Sequence, residues 1–167
     1  MIELLCIDVD GTLSDGKLHY TLNTDSPEIF KSFNVKDGLG LVYWHKIGKK
    51  SAIITGRSNP IVERRAKELN IDFIFMGIKD KGQCVRNLKE KLHLNTESCA
   101  AIGDDMNDIL MFKEVGISFA PLDCANGIKN IVTINLTKEG GNGAIREAIE
   151  YILKKEDLYE EFLKCWQ

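Results

Sequence analysis

The chain has 167 residues, of which 44% are hydrophobic and 28% charged, with 14 glycines and only 3 prolines. This composition excludes a disordered, collagenous or fibrous chain, and the length matches one domain of about 100–200 residues, so we expect a single domain over residues 1–167. The formal net charge of −3 argues against a nucleic-acid-binding face and against tight docking to an anionic membrane, because both usually need a basic excess.

The first elements of the chain are predicted to be a buried strand and a hairpin. Ile2–Val9 is a short apolar run that ends in acids, as expected of a buried parallel strand. In residues 17–35, two short extended runs, Lys17–Thr21 and Glu28–Val35, flank the turn-rich Asn23–Pro27. We predict that residues 17–35 form a β-hairpin flap inserted after the first strand.

Beyond the hairpin, short apolar runs alternate with stretches of helical length. The runs that predict further strands are Lys50–Ile54, Ile71–Met76, Ser98–Ile102, Gly116–Ala120 and Ile131–Ile134. This alternation is typical of a parallel α/β sheet. We therefore predict a three-layer, Rossmann-like α/β fold with the hairpin insertion and no large cap domain.

The segments between the runs carry helix signals. Ser58–Pro60 supplies a cap and a first-turn proline for a helix that extends to Leu69. Apolar residues three and four apart predict further helices over Asp80–Leu92, Asp105–Glu114 and Gly143–Lys155. The charged tail, residues 156–167, carries apolar residues at helical spacing, among them Phe162 and Trp166, which need a surface to cover.

We find no signal for export or membrane insertion. No apolar run approaches about 18 residues, and Met1–Glu3 leads into the first strand without a basic region or cleavage site. The five cysteines are odd in number, and the closest pair, Cys84 and Cys99, is 15 residues apart. That pattern fits neither a disulfide framework nor a CxxC zinc site, so we expect a cytoplasmic protein with reduced cysteines.

Polar and charged residues follow four of the predicted strands. They are Asp8 and Asp10, Thr55–Arg57, Lys81, and Asp104 with Asp105. Because the carboxyl ends of parallel strands meet in one crevice, we expect these side chains to lie together. Clustered carboxylates repel and raise one another's pKa, a conflict that a bound cation relieves. Ligands that are all oxygen favour a hard cation, so we predict Mg²⁺ beside a substrate phosphate.

The acid pair after the first strand suggests covalent phosphate chemistry. Asp8 and Asp10 are two residues apart, so in an extended segment both side chains point the same way. One carboxylate can attack phosphorus to form an aspartyl-phosphate, while Asp10 protonates the leaving oxygen and later deprotonates water. Thr55 and the N–H of Gly56 can hold phosphate oxygens, and Lys81 can neutralise charge on the transferring group.

Four motifs stand in order along the chain: Asp8-x-Asp10-Gly-Thr12, Thr55-Gly-Arg57, Lys81, and Gly103-Asp104-Asp105-x-x-Asp108. In order and spacing they resemble the motifs of the haloacid dehalogenase superfamily. The resemblance implies a phosphatase with the nucleophile Asp8, the acid and base Asp10, and the catalytic lysine Lys81. It also implies Mg²⁺ held by Asp8, Asp104 and the main-chain carbonyl of Asp10.

Three longer segments, Asp8–Gly16, Phe33–Gly38 and Gly140–Glu147, resemble a narrower family, the small 3-deoxy-D-manno-octulosonate 8-phosphate phosphatases. Members of that family lack a large cap and form tetramers in which neighbouring subunits complete the site. The resemblance implies hydrolysis of this phosphorylated sugar acid in lipopolysaccharide synthesis. Its substrate contacts, with the groups proposed above, fall on Asp10, Asn34, Val35, Lys36, Asp37, Gly38, Thr55, Gly56, Arg57, Arg65 and Lys81.

Two positions depart from the family's usual pattern. Asn142 and Val42 each stand where an arginine is usual, and each change removes a possible bidentate partner for a carboxylate or phosphate. A phosphatase of nine-carbon sugar-acid 9-phosphates is therefore an alternative. Two others are a non-catalytic partner of a cytidylyltransferase, against which the intact acids and lysine argue, and a phosphotransferase or mutase, which usually needs a larger cap.

Some residues near the motifs have two interpretations. Asp105 and Asp108 either cap the following helix or support the metal or Lys81. Gly140–Gly143 is either a flexible turn before the last helix or a loop that lets the backbone approach a ligand closely.

The missing cap makes a second subunit part of the expected site. A chain of 167 residues has a core and a hairpin, and alone it would leave the crevice open. We expect a neighbour's hairpin, or its apolar tail around Phe162 and Trp166, to help cover the crevice. Tyr43 and Trp44 are expected to pack internally or to contact another subunit.

Overall fold

A computed structural model describes residues 1–22 and 28–167. The strands are β1 Leu4–Ile7, β2 His19–Tyr20, β3 Glu28–Phe30, β4 Lys50–Ile54, β5 Phe73–Phe75, β6 Cys99–Ile102, β7 Ile117–Ala120 and β8 Ile134–Asn135. The helices are α1 Val35–Lys46, α2 Pro60–Glu68, α3 Lys81–Leu92, α4 Ile109–Phe112, α5 Ala144–Lys155 and α6 Tyr159–Lys164, with 3₁₀ turns at Thr96–Ser98 and Met106–Asp108. Within these described residues no helix is both long enough and apolar enough to cross a membrane.

Six of the strands form one parallel sheet in the order β5-β4-β1-β6-β7-β8. β1 lies between β4 and β6, with Ile7 opposite Ile53 on one side and Ile102 on the other. The segments that follow these three strands therefore leave the sheet at the same edge, as the alternation of elements predicted. The three-layer parallel α/β fold is confirmed.

Both faces of the sheet are covered. Leu5 and Ile7 of β1 point into a core shared with α1, α2, α5 and α6, while Leu4 and Cys6 point into a second core with α3 and α4. All four of these residues are inaccessible to solvent. A strand buried on both faces reads as a continuous apolar run, which is why the first strand was recognisable from its composition.

The predicted hairpin is present but shorter. β2 and β3 pair antiparallel over His19–Tyr20 and Glu28–Phe30, whereas the sequence predicted extended runs over Lys17–Thr21 and Glu28–Val35. The predicted turn at Asn23–Pro27 lies outside the described residues.

Helix α1 is a correction, because the sequence predicted an extended run to Val35 and no helix after it. The Asn34 side chain caps α1 by accepting a hydrogen bond from the Lys36 backbone at 2.8 Å. Gly38 and Gly40 weaken the helical signal, and the helix is stabilised instead by packing on α5. A Cβ on Gly40 would lie 3.0 Å from Cδ of Arg146 in α5, so the glycine permits this close approach.

Two further elements depart clearly from the prediction. The helix expected over Asp105–Glu114 is a 3₁₀ turn followed by the single turn of α4. The last strand is Ile134–Asn135 instead of Ile131–Ile134. Just before it, the Ser118 backbone N–H donates to Thr133 Oγ1 and the Thr133 N–H donates to Ser118 Oγ, at 3.1 and 3.0 Å. These side-chain bonds replace the strand ladder there.

The C-terminal tail packs on its own chain. Phe162 of α6 is buried, with its ring centroid 4.8 Å from that of Tyr43 and 4.6 Å from the Arg146 guanidinium. Phe162 is therefore not available to cover a neighbour's crevice, and that expectation was wrong for this residue. Trp166 remains half-exposed. Tyr43 and Trp44 are fully buried in the core, which confirms that they pack internally.

Candidate active site

Asp8 and Lys81 form a buried ion pair at the end of β1. The Asp8 N–H donates to the Ile102 carbonyl, which continues the strand pairing beyond β1. Oδ1 of Asp8 lies 2.5 Å from Nζ of Lys81, the first residue of α3. Burial opposes the charge on Lys81, but Asp8 and Asp108 outweigh that effect and raise the pKa of Lys81. The lysine is therefore held in its ammonium form between two acids.

Asp108 supports both the lysine and the loop after β6. Its Oδ1 accepts a hydrogen bond from Lys81 Nζ at 2.5 Å, and its Oδ2 accepts from the backbone N–H groups of Asp104 and Asp105 at 3.0 and 3.3 Å. Asp105 caps the 3₁₀ turn by accepting from the Met106 N–H at 2.7 Å. Of the two roles predicted for Asp105 and Asp108, Asp105 therefore has the capping role. Asp108 has both, because it closes the capping box and anchors Lys81.

Three carboxylates meet at this edge of the sheet. One oxygen each of Asp8, Asp104 and Asp108 lies within 4.8 Å of the others. Burial, with repulsion from Asp108, raises the pKa of Asp8 to about 6 despite Lys81. Burial and repulsion from Asp8 and Asp108 raise the pKa of Asp104 to about 8. A bound cation would offset the burial and mutual repulsion of these carboxylates. Three carboxylates are oxygen donors, so the cluster fits a hard divalent ion.

The loop after β1 is shaped around Asp104. Gly11 has a φ of 96°, and a Cβ there would overlap the Asp104 carboxylate. Thr12 Oγ1 lies 3.3 Å from Asp104 Oδ1 and donates to it. Because both oxygens of Asp108 already have protein partners, Asp8 and Asp104 are the carboxylates best placed to hold a metal ion.

Asp10 has a partner that the sequence reasoning missed. Its Oδ1 lies 2.5 Å from Nζ of Lys31, and the lysine side chain is only 1% exposed against 22% for Asp10. Lys31 follows β3 directly. The available signal was alternation: Lys31 is two residues from Phe33, so in an extended segment it shares the inward face of that half-buried aromatic residue.

Thr55 lies beside the acids because β4 pairs with β1. It is buried, and its backbone N–H and carbonyl bond to the Phe75 carbonyl and the Ile78 N–H. Its hydroxyl accepts a hydrogen bond from the Arg57 N–H at 3.3 Å. Gly56 and Arg57 are exposed at the same edge. This segment therefore presents backbone and side-chain donors where the second motif was expected.

The predicted substrate contacts at the start of α1 divide into exposed and buried residues. Val35 and Lys36 are exposed, whereas Asp37 is 1% exposed. The Asp37 oxygens accept hydrogen bonds from the N–H groups of Gly143 and Arg146 at 3.2 and 2.9 Å, at the N-terminus of α5. Burial raises the pKa of Asp37, and those hydrogen bonds oppose the rise. Asp37 thus faces α5 and ties α1 to it.

Arg65 lies against the end of the hairpin and the start of α1. Its guanidinium is 5.7 Å from the Phe33 ring centroid and makes an ion pair with Glu68 at 3.5 Å. A Cβ on Gly38 would lie 2.8 Å from Arg65 Nη2. Arg65 also lines a cavity of about 360 Å³ whose wall includes Lys31. A predicted substrate residue and the partner of Asp10 therefore share one cavity.

The glycine loop before α5 lies against the loop after β1. The Gly141 N–H donates to the Thr12 carbonyl at 2.9 Å. A Cβ on Gly140 would overlap the Gly11 carbonyl, and one on Gly141, whose φ is 62°, would overlap the Asp15 backbone. The glycine loop therefore approaches the loop that carries Asp10, and its predicted close approach to a ligand stays a prediction.

Asn142 and Val42, the two positions that depart from the family pattern, have different surroundings. Asn142 Oδ1 accepts a hydrogen bond from Asn34 Nδ2 at 3.4 Å, so it touches one of the predicted substrate residues. Val42 is 43% exposed on α1.

An acid pair after β1, with a buried lysine after β5 and a further acid after β6, defines the class of a haloacid dehalogenase-like hydrolase. A family model for haloacid dehalogenase-like hydrolases matches residues 73–149.

Relatives that match over nearly all of this chain identify its family within that class. The 3-deoxy-D-manno-octulosonate 8-phosphate phosphatase KdsC of Haemophilus influenzae is 37% identical over 98% of this chain and 92% of its own length. A crystal structure of the Moraxella catarrhalis phosphatase in complex with magnesium, phosphate and KDO is 41% identical, with a TM-score of 0.93 over 99% of this chain and 94% of that one. The cobalt-bound Haemophilus influenzae enzyme is 37% identical, with a TM-score of 0.89 over 95% of this chain and 91% of that one. The chain belongs to the 3-deoxy-D-manno-octulosonate 8-phosphate phosphatase family.

Proposed function

We propose that the chain is a Mg²⁺-dependent phosphomonoesterase that hydrolyses 3-deoxy-D-manno-octulosonate 8-phosphate to the free sugar acid and phosphate. The observation that carries the proposal is the buried Asp8–Lys81–Asp108 arrangement beside Asp104, in a family whose Moraxella catarrhalis member binds magnesium, phosphate and KDO. A non-catalytic partner would have no need to keep a buried and a half-buried carboxylate, Asp8 and Asp104, with raised pKa values.

Asp8, Asp104 and the main-chain carbonyl of Asp10 would hold the Mg²⁺ ion. When bound, the ion neutralises the substrate phosphate and lowers the repulsion that an attacking carboxylate meets. Asp108 is better suited to support, because its oxygens are bonded to Lys81 and to two backbone N–H groups.

Asp8 is the nucleophile in this proposal. Lys81 bonds Oδ1 of Asp8, which leaves Oδ2 to attack phosphorus as the bond to the sugar oxygen breaks. Asp10 donates its proton to that leaving oxygen. In the second step Asp10 accepts a proton from water, whose oxygen attacks the aspartyl-phosphate and releases phosphate and Asp8. The Thr55 hydroxyl and the Gly56 N–H would hold the phosphate oxygens.

The substrate's sugar acid would contact Asn34, Val35, Lys36, Gly38, Arg57 and Arg65. Lys36 and Arg57 are exposed cations that can pair with a carboxylate. Asp37 acts indirectly in this proposal, because its carboxylate is bonded to the start of α5. The nine-carbon alternative is kept because Asn142, at a position where the family usually has arginine, is a neutral residue bonded to Asn34.

We also propose that the protein is a cytoplasmic homotetramer built from a single domain. Large apolar side chains of the hairpin are exposed, and their burial by another subunit would remove apolar surface from water. They are Leu18, Tyr20, Leu22 and Phe30. The five cysteines are free thiols, as expected in a reducing compartment.

The experiment is a substrate panel with the purified full chain. We would compare kcat/KM for octulosonate 8-phosphate, nonulosonate 9-phosphates, hexose phosphates and p-nitrophenyl phosphate, with Mg²⁺ and with EDTA. We expect the octulosonate ester to have the highest kcat/KM and EDTA to abolish turnover. A higher kcat/KM for a nonulosonate 9-phosphate would favour the nine-carbon alternative. If no ester were hydrolysed, the proposed phosphatase activity would be overturned.

The matched variants are Asp8→Asn and Asp80→Asn. We expect Asp8→Asn to lower kcat by about 10⁴-fold or more, because it removes the nucleophile. Asp80 caps α3 next to Lys81, and asparagine caps a helix equally well, so Asp80→Asn should retain full activity. Full activity of Asp8→Asn would overturn the mechanism.

A further inference from the structure

Lys31 is a charged side chain buried on the hairpin side of the site. The residue is 8% exposed and its side chain 1% exposed, although a lysine at a strand end could extend into solvent. Burying an ammonium group is unfavourable unless an opposite charge compensates it. Asp10 provides such a charge, because its Oδ1 lies 2.5 Å from the lysine Nζ.

The backbone around Lys31 is tied to the loop that carries Asp10. Phe33 forms an antiparallel bridge with Ser14, and Ser14 in turn forms a bridge with Asp10. The Ser14 hydroxyl also donates to the Val9 carbonyl at 3.1 Å. The end of the hairpin and the segment after β1 are therefore connected by backbone contacts, so the position of the Lys31 ammonium relative to Asp10 is determined by more than one flexible side chain.

We propose that Lys31 is a positioning residue that orients the Asp10 carboxyl group for proton transfer. By bonding Oδ1 it fixes the rotation of the carboxyl group and leaves Oδ2 as the oxygen that exchanges a proton with the leaving group. The inference rests on the proposed function, in which Asp10 is the acid and base. A proton-transfer group is effective only when it is held within hydrogen-bond reach of the reacting oxygen.

This role separates Lys31 from a residue that only stabilises the fold or binds phosphate. A sugar alkoxide is a poor leaving group and needs a proton as the ester bond breaks, whereas p-nitrophenolate leaves readily without one. kcat/KM includes the transfer to Asp8, the step in which the leaving group departs. Loss of Lys31 should therefore reduce kcat/KM more for the sugar ester than for the aryl ester.

The test uses Lys31→Met, which keeps an unbranched side chain of similar length and removes the charge. The matched control is Lys17→Met in the same hairpin, where the lysine is exposed and only loosely paired with Asp15 at 3.7 Å. With Mg²⁺ present, we expect Lys31→Met to lower kcat/KM about 10²-fold for octulosonate 8-phosphate and less than about tenfold for p-nitrophenyl phosphate. Lys17→Met should match the wild type on both.

Equal losses on the two esters would overturn the inference, as would a change confined to KM. A second measurement covers the case in which Lys31→Met folds poorly. Lys31→Arg keeps a donor for Asp10, and we expect its ratio of sugar-ester to aryl-ester kcat/KM to stay nearer that of the wild type than that of Asp10→Asn. A Lys31→Arg ratio as low as that of Asp10→Asn would overturn the inference.

A double-mutant comparison gives an independent check. If Lys31 acts through Asp10, adding Lys31→Met to Asp10→Asn should change kcat/KM for the sugar ester less than about twofold further. Additive losses would overturn the inference. Failure of the proposed function is distinguishable in the wild type, which would then hydrolyse neither ester or would prefer a nonulosonate 9-phosphate.

Discussion

Two lysine–aspartate pairs lie side by side in this protein, and they are held in different ways. Lys81–Asp8 and Lys31–Asp10 have the same 2.5 Å separation, and their acids are two residues apart. Lys81 begins a helix packed on the sheet and is shared with the buried Asp108. Lys31 comes from the end of the hairpin, outside the six-stranded sheet.

We infer from this difference that the two lysine–aspartate pairs have different roles. The Lys81 pair is part of the core, so its geometry and the stability of the fold depend on each other. The Lys31 pair joins the loop after β1 to an inserted element, and its acid is 22% exposed, so water can partly replace the lysine. We therefore expect the first pair to matter for both stability and activity, and the second mainly for proton transfer. Four predictions test this comparison.

The largest effect is expected for Lys81→Met. It leaves Asp8 and Asp108 as buried carboxylates without their shared counter-charge, which should lower the free energy of unfolding by about 3–5 kcal/mol. Lys31→Met should lower it by less, because Asp10 is partly solvated. Urea unfolding in EDTA measures both variants. Equal losses of stability would contradict the division between the two pairs.

Gly141→Ala should disturb the loop after β1, which carries Asp10 of the second lysine–aspartate pair. Gly141 and Gly48 both have positive φ values, 62° and 82°. A Cβ on Gly141 would overlap the backbone of Asp15, whereas one on Gly48 would meet no atom of the described residues within 4 Å. We expect Gly48→Ala to cost about 1–2 kcal/mol from backbone strain, and Gly141→Ala roughly 1–3 kcal/mol more from overlap. Gly141→Ala should also lower kcat/KM on both esters. Equal effects of the two variants on stability and activity would show that the close approach has no role.

Asp37→Asn should leave both pairs intact and act on the helices alone. The amide has one acceptor oxygen, so one of the hydrogen bonds from Gly143 and Arg146 is lost, at a cost of about 1–2 kcal/mol. We expect kcat/KM for p-nitrophenyl phosphate to stay near that of the wild type. A loss on that ester as large as that of Lys81→Met would instead place Asp37 in the catalytic machinery.

The smallest effect is the pH dependence of stabilisation by Mg²⁺. Folding raises the pKa of Asp8 from 3.8 to about 6 and that of Asp104 from 3.8 to about 8. The folded protein therefore binds protons that the unfolded chain has released. Without metal, the stability contributed by these acids is complete below about pH 4 and is lost as the pH rises through about 6 and 8.

If Asp8 and Asp104 hold the ion as proposed, Mg²⁺ binds their ionised forms, so its stabilising effect should grow as the pH rises. In thermal unfolding we expect the gain in Tm to be larger at about pH 8 than at about pH 5, by about 2–4 °C, or about 1 kcal/mol. Asp104→Asn should reduce that difference. A gain that is the same at both pH values would contradict the assignment of these acids to the metal.

Most of the sheet and the acid cluster could be predicted from the sequence. The strands are short apolar runs because both faces are covered, and Asp8, Thr55 and Asp104 follow strands whose carboxyl ends share one edge. Helix α1 could not be predicted, because Gly38 and Gly40 break its apolar periodicity and its stability comes from packing against α5.

The sequence by itself determined the sheet, the order of its motifs and the class of chemistry, because these depend on local periodicity and on residues close together in the chain. Only the tertiary structure decided that Lys31 bonds Asp10, that Asp37 caps α5, that Phe162 packs on its own chain, and that Gly140–Gly141 approach the loop after β1. Each of these contacts joins residues at least 21 positions apart. Such pairings follow from how the helices and the hairpin pack around the sheet, which local periodicity does not specify.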